Sequence, residues 1–363
     1  MVKKNIIVGL SGGVDSAVTA FLLKKEGHDV KALFMKNWEE DDDEFCSSKQ
    51  DLLDAISVAE KIGIEIEVVN FAKEYKEKVF DLFIDGIKNG ITPNPDILCN
   101  SEIKFDAFLH HSIRQGADYI ATGHYAKVIE KDGLFLLNKG IDSSKDQSYF
   151  LHKLNQDQLS KSIFPLGKYL KTEIRAIAKD NHLHNHNRKD STGICFIGER
   201  PFANFLEQFV EKNPGEIVTL DGKIIGKHDG LMFYTIGQRQ GLGIGGTSNS
   251  NGKPWFVCKK DLKNNQLVVV QGRNHPALFH DALVATEIHK IAQDFPLKKV
   301  ISAKIRYRQP DEACQIDSIE SGKLISNFGQ KQWAITPGQY VVFYDSNICL
   351  GGAVIESSQN SFD

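Results

Sequence analysis

The sequence predicts an α/β protein: an N-terminal domain built on a mostly parallel sheet, a small β-rich central domain, and a C-terminal antiparallel β-barrel. Three observations predict it. In the first half, short apolar runs alternate with amphipathic stretches of helical spacing, as in a sheet covered on both faces. After Pro201, glycine punctuates short β-rich runs such as EIVTLDGKIIG and GLMFYTIGQRQGLGIGG. From Ala282 onward almost every segment reads as strand. The expected divisions are 1–205, 206–278 and 279–363, and a chain of 363 residues is long enough for two or three cores.

Residues 5–10 (NIIVGL), 30–35 (VKALFM), 64–69 (IEIEVV) and 118–122 (DYIAT) are dense in apolar and β-branched side chains and read as strands. Between them, residues 15–26, 49–62, 75–89 and 102–115 carry apolar side chains at helical spacing. In a parallel sheet of this kind the ligand site is expected at the carboxyl ends of the strands. The late runs DALVATEIH, KVISAKIRYR, ACQIDSI, QYVVFYD and LGGAVIE, separated by turn residues, give the spacing of a small barrel. The acidic run 39–44 reads as a solvated loop.

Composition excludes several classes. An apolar fraction of 41% with 25% charged residues is that of a soluble globular chain, with no apolar stretch long enough to span a membrane. The opening MVKKNIIVGL is basic and then apolar, but it reaches a glycine-rich turn too early for a signal segment, so a cytoplasmic location is expected. Six cysteines, at 46, 99, 195, 258, 314 and 349, are too sparse and irregular for a disulfide scaffold. With 44 basic and 47 acidic residues the net charge of -3 neither favours nor excludes a nucleic-acid partner, which depends on a local basic face.

The segment GLSGGVDS (Gly9, Leu10, Ser11, Gly12, Gly13, Val14, Asp15, Ser16) follows a strand and opens a helix. It lacks the lysine of a Walker A loop and the spacing of G-x-G-x-x-G. Its chemistry is nonetheless that of a phosphate grip. The glycines let backbone N–H groups approach an anion, the serines add hydroxyl donors, and the helix start presents unpaired N–H groups. Asp15 is out of place beside phosphate unless a divalent cation intervenes, which magnesium with ATP would provide. The pattern resembles the PP-loop of ATP pyrophosphatases, which cleave ATP between the α- and β-phosphates and activate a carbonyl oxygen as an adenylate, with pyrophosphate as the leaving group.

Two cysteines are chemical candidates. Cys99 in PNPDILCN has no C-x-x-C companion; at a helix start its thiol pKa would be lowered, whereas in the helix interior it is a core thiol. Asp96, three residues earlier, is placed either to exchange a proton with a substrate or to cap the helix. Cys195 in DSTGICFIGER lies in a polar stretch with Arg188, Lys189 and Arg200 nearby, the positive setting that a reactive thiol needs.

GLSGGVDS together with NPDILCNSEIKF, ATGHYA, KDQSYFL, DSTGICFIGER, YTIGQRQGLGIGG and the late RYR is similar, from end to end of the chain, to the bacterial tRNA-specific 2-thiouridylases. The resemblance implies ATP-dependent 2-thiolation of the wobble uridine (position 34) of tRNA. Cys195 would carry the persulfide, Cys99 would be the second thiol, and turnover would leave a disulfide between them. Asp96 would be the general acid/base, and Asn94, Pro95 and Asp96 would meet the flipped base. The segment from Gly9 to Ser16, with Met35 and Gly123, would hold ATP and its Mg2+. His124, Lys145, Asp146, Gln147, Arg306, Tyr307 and Gln339 would contact tRNA, in the anticodon stem-loop of the Lys, Glu and Gln isoacceptors. The sulfur would come from a persulfide donor protein, a cysteine desulfurase or a relay protein.

Other readings have less in the residues. An AMP-forming amide synthase would need an ammonia source and no pair of thiols, and nothing here resembles a glutaminase. A nucleotide sensor would bind ATP and RNA without releasing pyrophosphate. Thiolation at another tRNA position would bring accessory cysteine patterns that are missing. The glycines of GLGIGG (241–246) lack a strand–turn–helix context and read as a flexible turn. His182, His184 and His186 in HLHNHN read as a polar loop, and no structural metal is predicted.

Overall fold

A computed structural model describes residues 2–38, 48–189, 202–244 and 252–360. The acidic run 39–44, the Cys195 segment with Arg200, and the last two residues of GLGIGG lie outside the described residues. Every sequence-expected strand and helix of the first 122 residues is present, with its ends shifted by a few residues at most for all but the helix at 95–114.

The N-terminal sheet has five parallel strands. β1 (Asn5–Gly9) lies at its centre, flanked by β2 (Asp29–Lys36) and then β3 (Ile66–Asn70) on one side. On the other side lie β4 (Tyr119–Ala121) and the short strand Ser162–Ile163. Alternation along β1 sends Ile7, with Leu33 of β2, to the face covered by the helical stretches 72–88 and 95–114. Ile6 and Val8 go to the opposite face, where α1 (Val14–Lys25) and α2 (Ser48–Ile62) pack. The central strand is therefore dry on both sides, and this is why it reads as a continuous apolar run.

The central sheet orders its strands Trp255–Asp261, Gln266–Gln271, Gly215–Val218 and Ile224–His228. One expectation fails here. The run GLMFYTIGQRQGLGIGG was read as β-rich, but its described residues form a 3-10 turn, Leu231–Phe233, followed by turns and irregular chain. Gly230, Gly237, Gly241 and Gly243 all take positive φ, which breaks a regular strand path at four points. Gly237 also lies against the ring of Trp333, so the run serves as a bridge to the barrel.

Six antiparallel strands from Phe279–Lys290 to Ile348–Gln359 form the barrel, closed by pairing between the first and the last. A hairpin that the sequence reading missed extends this sheet. Its strands Ala126–Lys131 and Leu134–Lys139, from the N-terminal part of the chain, join Ile348–Gln359 through Cys349 opposite Leu137. The signal was present: the turn is Asp132–Gly133, both at positive φ, a strong short-range hairpin dipeptide. The core of the helical face consequently runs from Ile7 and Phe108 through Leu137 and Tyr149 into Tyr340, Val342 and Tyr344 of the barrel. Among the described residues no helix is long and apolar enough to cross a membrane.

His152 lies at this junction, fully buried. Its Nδ1 is 2.8 Å from the carbonyl of Tyr149, its ring is 5.0 Å from that of Tyr340, and Gly352 is close enough that an added Cβ would meet the imidazole at 2.6 Å. Burial pushes its pKa down to about 3. An unfolded histidine titrates near 6.5, so between these values the unfolded chain binds a proton that the folded one does not. The contribution is whole above pH 6.5 and is lost as the pH falls. Stability from this group is expected to drop by about 2 kcal/mol between pH 7 and pH 5. Denaturant unfolding at both pH values, on wild type and His152→Gln, checks this: the variant should show the smaller drop, and equal drops would contradict it.

Candidate active site

The carboxyl end of β1 delivers the chain into a turn with little freedom. Leu10 N–H donates to the Leu33 carbonyl at 2.9 Å and the side chain of Leu10 is buried, which fixes the strand end. Ser11 N–H donates to Ser16 Oγ at 3.1 Å, and Ser16 Oγ donates in turn to the Gly13 carbonyl. Gly12 takes φ +78°, and a Cβ there would lie 2.4 Å from the Asp51 carbonyl oxygen of α2. Gly13 caps α1 in an extended conformation without any side-chain hydrogen bond, so the first N–H groups of the helix have no side-chain cap.

Asn185, which the sequence reading did not single out, and Arg188, which it placed only beside Cys195, hold this turn from behind. The Gly12 carbonyl accepts from Asn185 Nδ2 at 2.8 Å and from Arg188 Nη1 at 3.4 Å. The Arg188 guanidinium also bridges Asp51 and Asp54 of α2. Asn185 is 3% exposed and its Oδ1 has no hydrogen-bond partner among the described residues. Lys189 follows Arg188 directly, and the Cys195 segment then continues outside the described residues.

The loop after β4 closes on the same turn. An added Cβ on Gly123 would lie 2.9 Å from the Asp15 carbonyl carbon and from the Ser16 nitrogen, so only glycine allows the two backbones to meet. Gly9 lies beside Met35: a Cβ there would be 3.2 Å from its Cε. Asp15 is engaged on its side chain. Lys171 Nζ lies 2.7 Å from both carboxylate oxygens, and Tyr125 donates its hydroxyl to Oδ1 at 2.7 Å. Lys171 thus neutralises Asp15 directly in the ligand-free turn.

Asn94 caps the helix that begins with Pro95, and Asp96 lies in its first turn. The helix runs on through Cys99–Ala107 with π-helical geometry and ends at Arg114. Cys99 is therefore one turn inside the helix, not at its start. Its N–H is bonded within the first turn and its side chain is 2% exposed, so the dipole argument for a lowered pKa loses its geometric basis. Asp96 is not the cap either. Burial raises its pKa above the ordinary carboxylate value, opposed by the charge of Lys104. Lys104 also faces His124, whose pKa lies well below the ordinary value, mainly through burial. His124 Nδ1 is 2.7 Å from Thr122 Oγ1, and its ring packs on Phe105 and Phe164. Phe108, farther along the Cys99 helix, lies against Gly9. The helix of Cys99 and Asp96 thus borders the phosphate-type turn.

The residues expected to touch RNA fall into two groups. Asp146 is buried, accepting from the backbone N–H groups of Gly140 and Ser148 and from Ser148 Oγ, with Lys304 at 3.6 Å. Gln147 accepts the Tyr125 N–H. Arg306 Nη2 donates to the carbonyls of Ile236 and Ala334 and to Thr336 Oγ1, linking the central domain to the barrel. Gln339 donates to the Thr92 carbonyl at 2.8 Å, and the Thr92 N–H donates to the Pro337 carbonyl. Lys145 and Tyr307 are half-buried, the Tyr307 ring lying tilted against Phe150 with centroids 4.3 Å apart. In this state the barrel grips the loop that leads to Asn94, Pro95 and Asp96.

Residues 4–199 match the tRNA methyl transferase HUP domain family, 203–271 the tRNA methyl transferase PRC-barrel domain, and 280–355 the aminomethyltransferase beta-barrel domain. Over nearly the whole chain, the sequence is 61% identical to the tRNA-specific 2-thiouridylase MnmA of Methylobacillus flagellatus, covering 98% of this chain and 99% of that one. The chain belongs to the tRNA-specific 2-thiouridylase family. The family member of Nitrosomonas europaea is 58% identical, with 99% of this chain and 100% of that one covered. That of Chromobacterium violaceum is 55% identical, with 98% and 92% covered.

Replacing Gly12 by alanine is expected to destabilise the fold by about 1–2 kcal/mol through left-handed strain alone, with the Asp51 contact adding to it. ATP affinity, read by titration calorimetry, should fall at least ~10-fold as the turn is displaced. Unchanged stability and affinity would contradict this account of the turn.

Proposed function

We propose that this protein is a tRNA-uridine 2-sulfurtransferase that thiolates the wobble uridine of tRNA, using ATP to activate the base and a cysteine persulfide to deliver sulfur. The observation that carries the reading is the end-to-end family membership, joined to a site in which a phosphate-type turn and the helix of Asp96 and Cys99 meet at one end of the parallel sheet.

In the first step the C2 oxygen of the uridine attacks the α-phosphorus of ATP, and pyrophosphate leaves. The turn from Gly9 to Ser16 holds the phosphates, with Met35 and Gly123 at its flanks. Mg2+ bound with the nucleotide supplies charge neutralisation. Asp96, its pKa raised by burial, takes the N3 proton and so makes O2 the better nucleophile. Extruding a base from a single-stranded anticodon loop is inexpensive, and Asn94, Pro95 and Asp96 then line its edge.

In the second step the terminal sulfur of the Cys195 persulfide attacks C2 and AMP leaves with the C–O bond electrons. The Cys99 thiolate then attacks Cys195 Sγ, breaking the S–S bond to the base and leaving 2-thiouridine and a Cys99–Cys195 disulfide. An external thiol reductant returns two electrons for the next round. A variant of this route releases hydrosulfide as the nucleophile when Cys99 attacks first. The sulfur donor is a cysteine desulfurase or a relay protein, the substrates are the anticodon stem-loops of the Lys, Glu and Gln isoacceptors, and the setting is the cytoplasm. His124, Lys145, Asp146, Gln147, Arg306, Tyr307 and Gln339 form or support the tRNA-facing side.

Pyrophosphate release should depend on tRNA with uridine at the wobble position, as measured with a coupled assay. Cys195→Ser should keep a single-turnover release of pyrophosphate and form no 2-thiouridine by nucleoside mass spectrometry. Full product from Cys195→Ser would remove sulfur relay, and the absence of pyrophosphate from wild type would favour a sensor.

A further inference from the structure

The phosphate-type turn lacks the lysine that a Walker A motif carries within its own sequence. We propose that Lys171, reaching the turn from 156 positions along the chain, is the phosphate-binding lysine of this site and contacts the pyrophosphate portion of ATP.

The side chain is placed for it. Lys171 is the first residue of the helix Lys171–Asp180, and its backbone N–H donates to Asp142 Oδ2 at 2.9 Å, so its Cα is anchored. The ammonium lies 5.8 Å from the centroid of the Tyr125 ring and 2.7 Å from each oxygen of Asp15. The residue is 8% exposed. Asp15 lies in the first turn of α1, adjoining Ser16 and the N–H groups that a phosphate would meet. An ammonium held there is already largely desolvated.

The chemistry of the pair requires this exchange. A carboxylate beside the β- and γ-phosphates repels them, and a neutralising lysine held in place lowers that repulsion before the nucleotide arrives. Mg2+ accompanying ATP would be held by the Asp15 carboxylate and would supply charge neutralisation there, and the Lys171 ammonium, a compact point charge with three donors, is then a suitable ligand for phosphate oxygen. Lys171 is in this sense the counter-ion of Asp15 without ATP and of pyrophosphate with it. Sequence inspection points to no such residue, since nothing near position 171 resembles a nucleotide motif.

The assignment rests on the ATP reading given above, and binding measurements separate the two. Titration calorimetry with ATP, inorganic pyrophosphate and AMP, each with Mg2+, is compared for wild type, Lys171→Met and Lys171→Arg. Thermal unfolding of the ligand-free proteins reports whether each is folded. Lys171→Met is expected to weaken ATP and pyrophosphate by ~10–100-fold while AMP stays within about twofold, and Lys171→Arg to recover part of the loss. ATP and AMP weakened in parallel, or an ATP loss from Lys171→Met that vanishes when Asp15→Asn is present in both proteins, would make Lys171 only a counter-ion, and unchanged ATP binding would remove it from the site; each overturns the proposal. Should Lys171→Met not fold, Lys171→Arg keeps the charge and is read by the same ratio: ATP weakened at least ~3-fold against constant AMP supports the assignment, and equal changes overturn it. A wild type that binds neither ATP nor pyrophosphate overturns the ATP reading and the assignment with it.

Discussion

The order of the parallel sheet is the constraint on which the site depends. From β1 the chain moves to β2 and β3 on one side and then crosses to β4 on the other, so the loops leaving β1 and β4 diverge around a crevice. In this molecule the crevice is closed down to backbone contact, with Gly123 pressed onto Asp15 and Ser16. That contact brings His124, Tyr125 and the phosphate-type turn together. It also leaves the carboxyl end of β1 facing the helix that carries Asp96 and Cys99.

The barrel completes the site from the other direction. Its turn at 336–339 holds Thr92 through both backbone groups and through Gln339, and Gly338 at φ +88° lies within 2.8 Å of the Thr92 nitrogen for an added Cβ. Farther from the site, Gln156 donates to the Ile291 carbonyl and His289 lies 3.1 Å from the Leu154 carbonyl. A shared core with Tyr340, Val342 and Tyr344 leaves little freedom between the barrel and the first domain. The loop containing Asn94, Pro95 and Asp96 is thus positioned by residues more than two hundred positions away.

The sheet, the barrel and the turn at Gly12 were legible because each is written in local pattern: apolar runs, period-two alternation, and glycines where the backbone needs them. What was not legible depended on long-range packing. Lys171, Asn185 and Arg188 reach the turn only after folding, and nothing in their own neighbourhoods ties them to it. The missing Walker lysine was the one hint that a cation had to come from elsewhere. Burial was equally hidden. Asp146 and His124 look like surface polar residues in KDQSYFL and ATGHYA, yet both are enclosed. Cys99 was assigned to a helix start because Pro95 and Asp96 were not counted as its first turn.

The account's central claim is that one turnover joins two thiols remote in sequence, Cys99 and Cys195. It is tested most directly by loading the protein with persulfide sulfur and supplying ATP and substrate tRNA without reductant. Peptide mass mapping of the alkylated protein then reads the outcome. A Cys99–Cys195 linked peptide in stoichiometry with the 2-thiouridine formed is the predicted result. Thiouridine formed with both cysteines recovered as alkylated free thiols would contradict it.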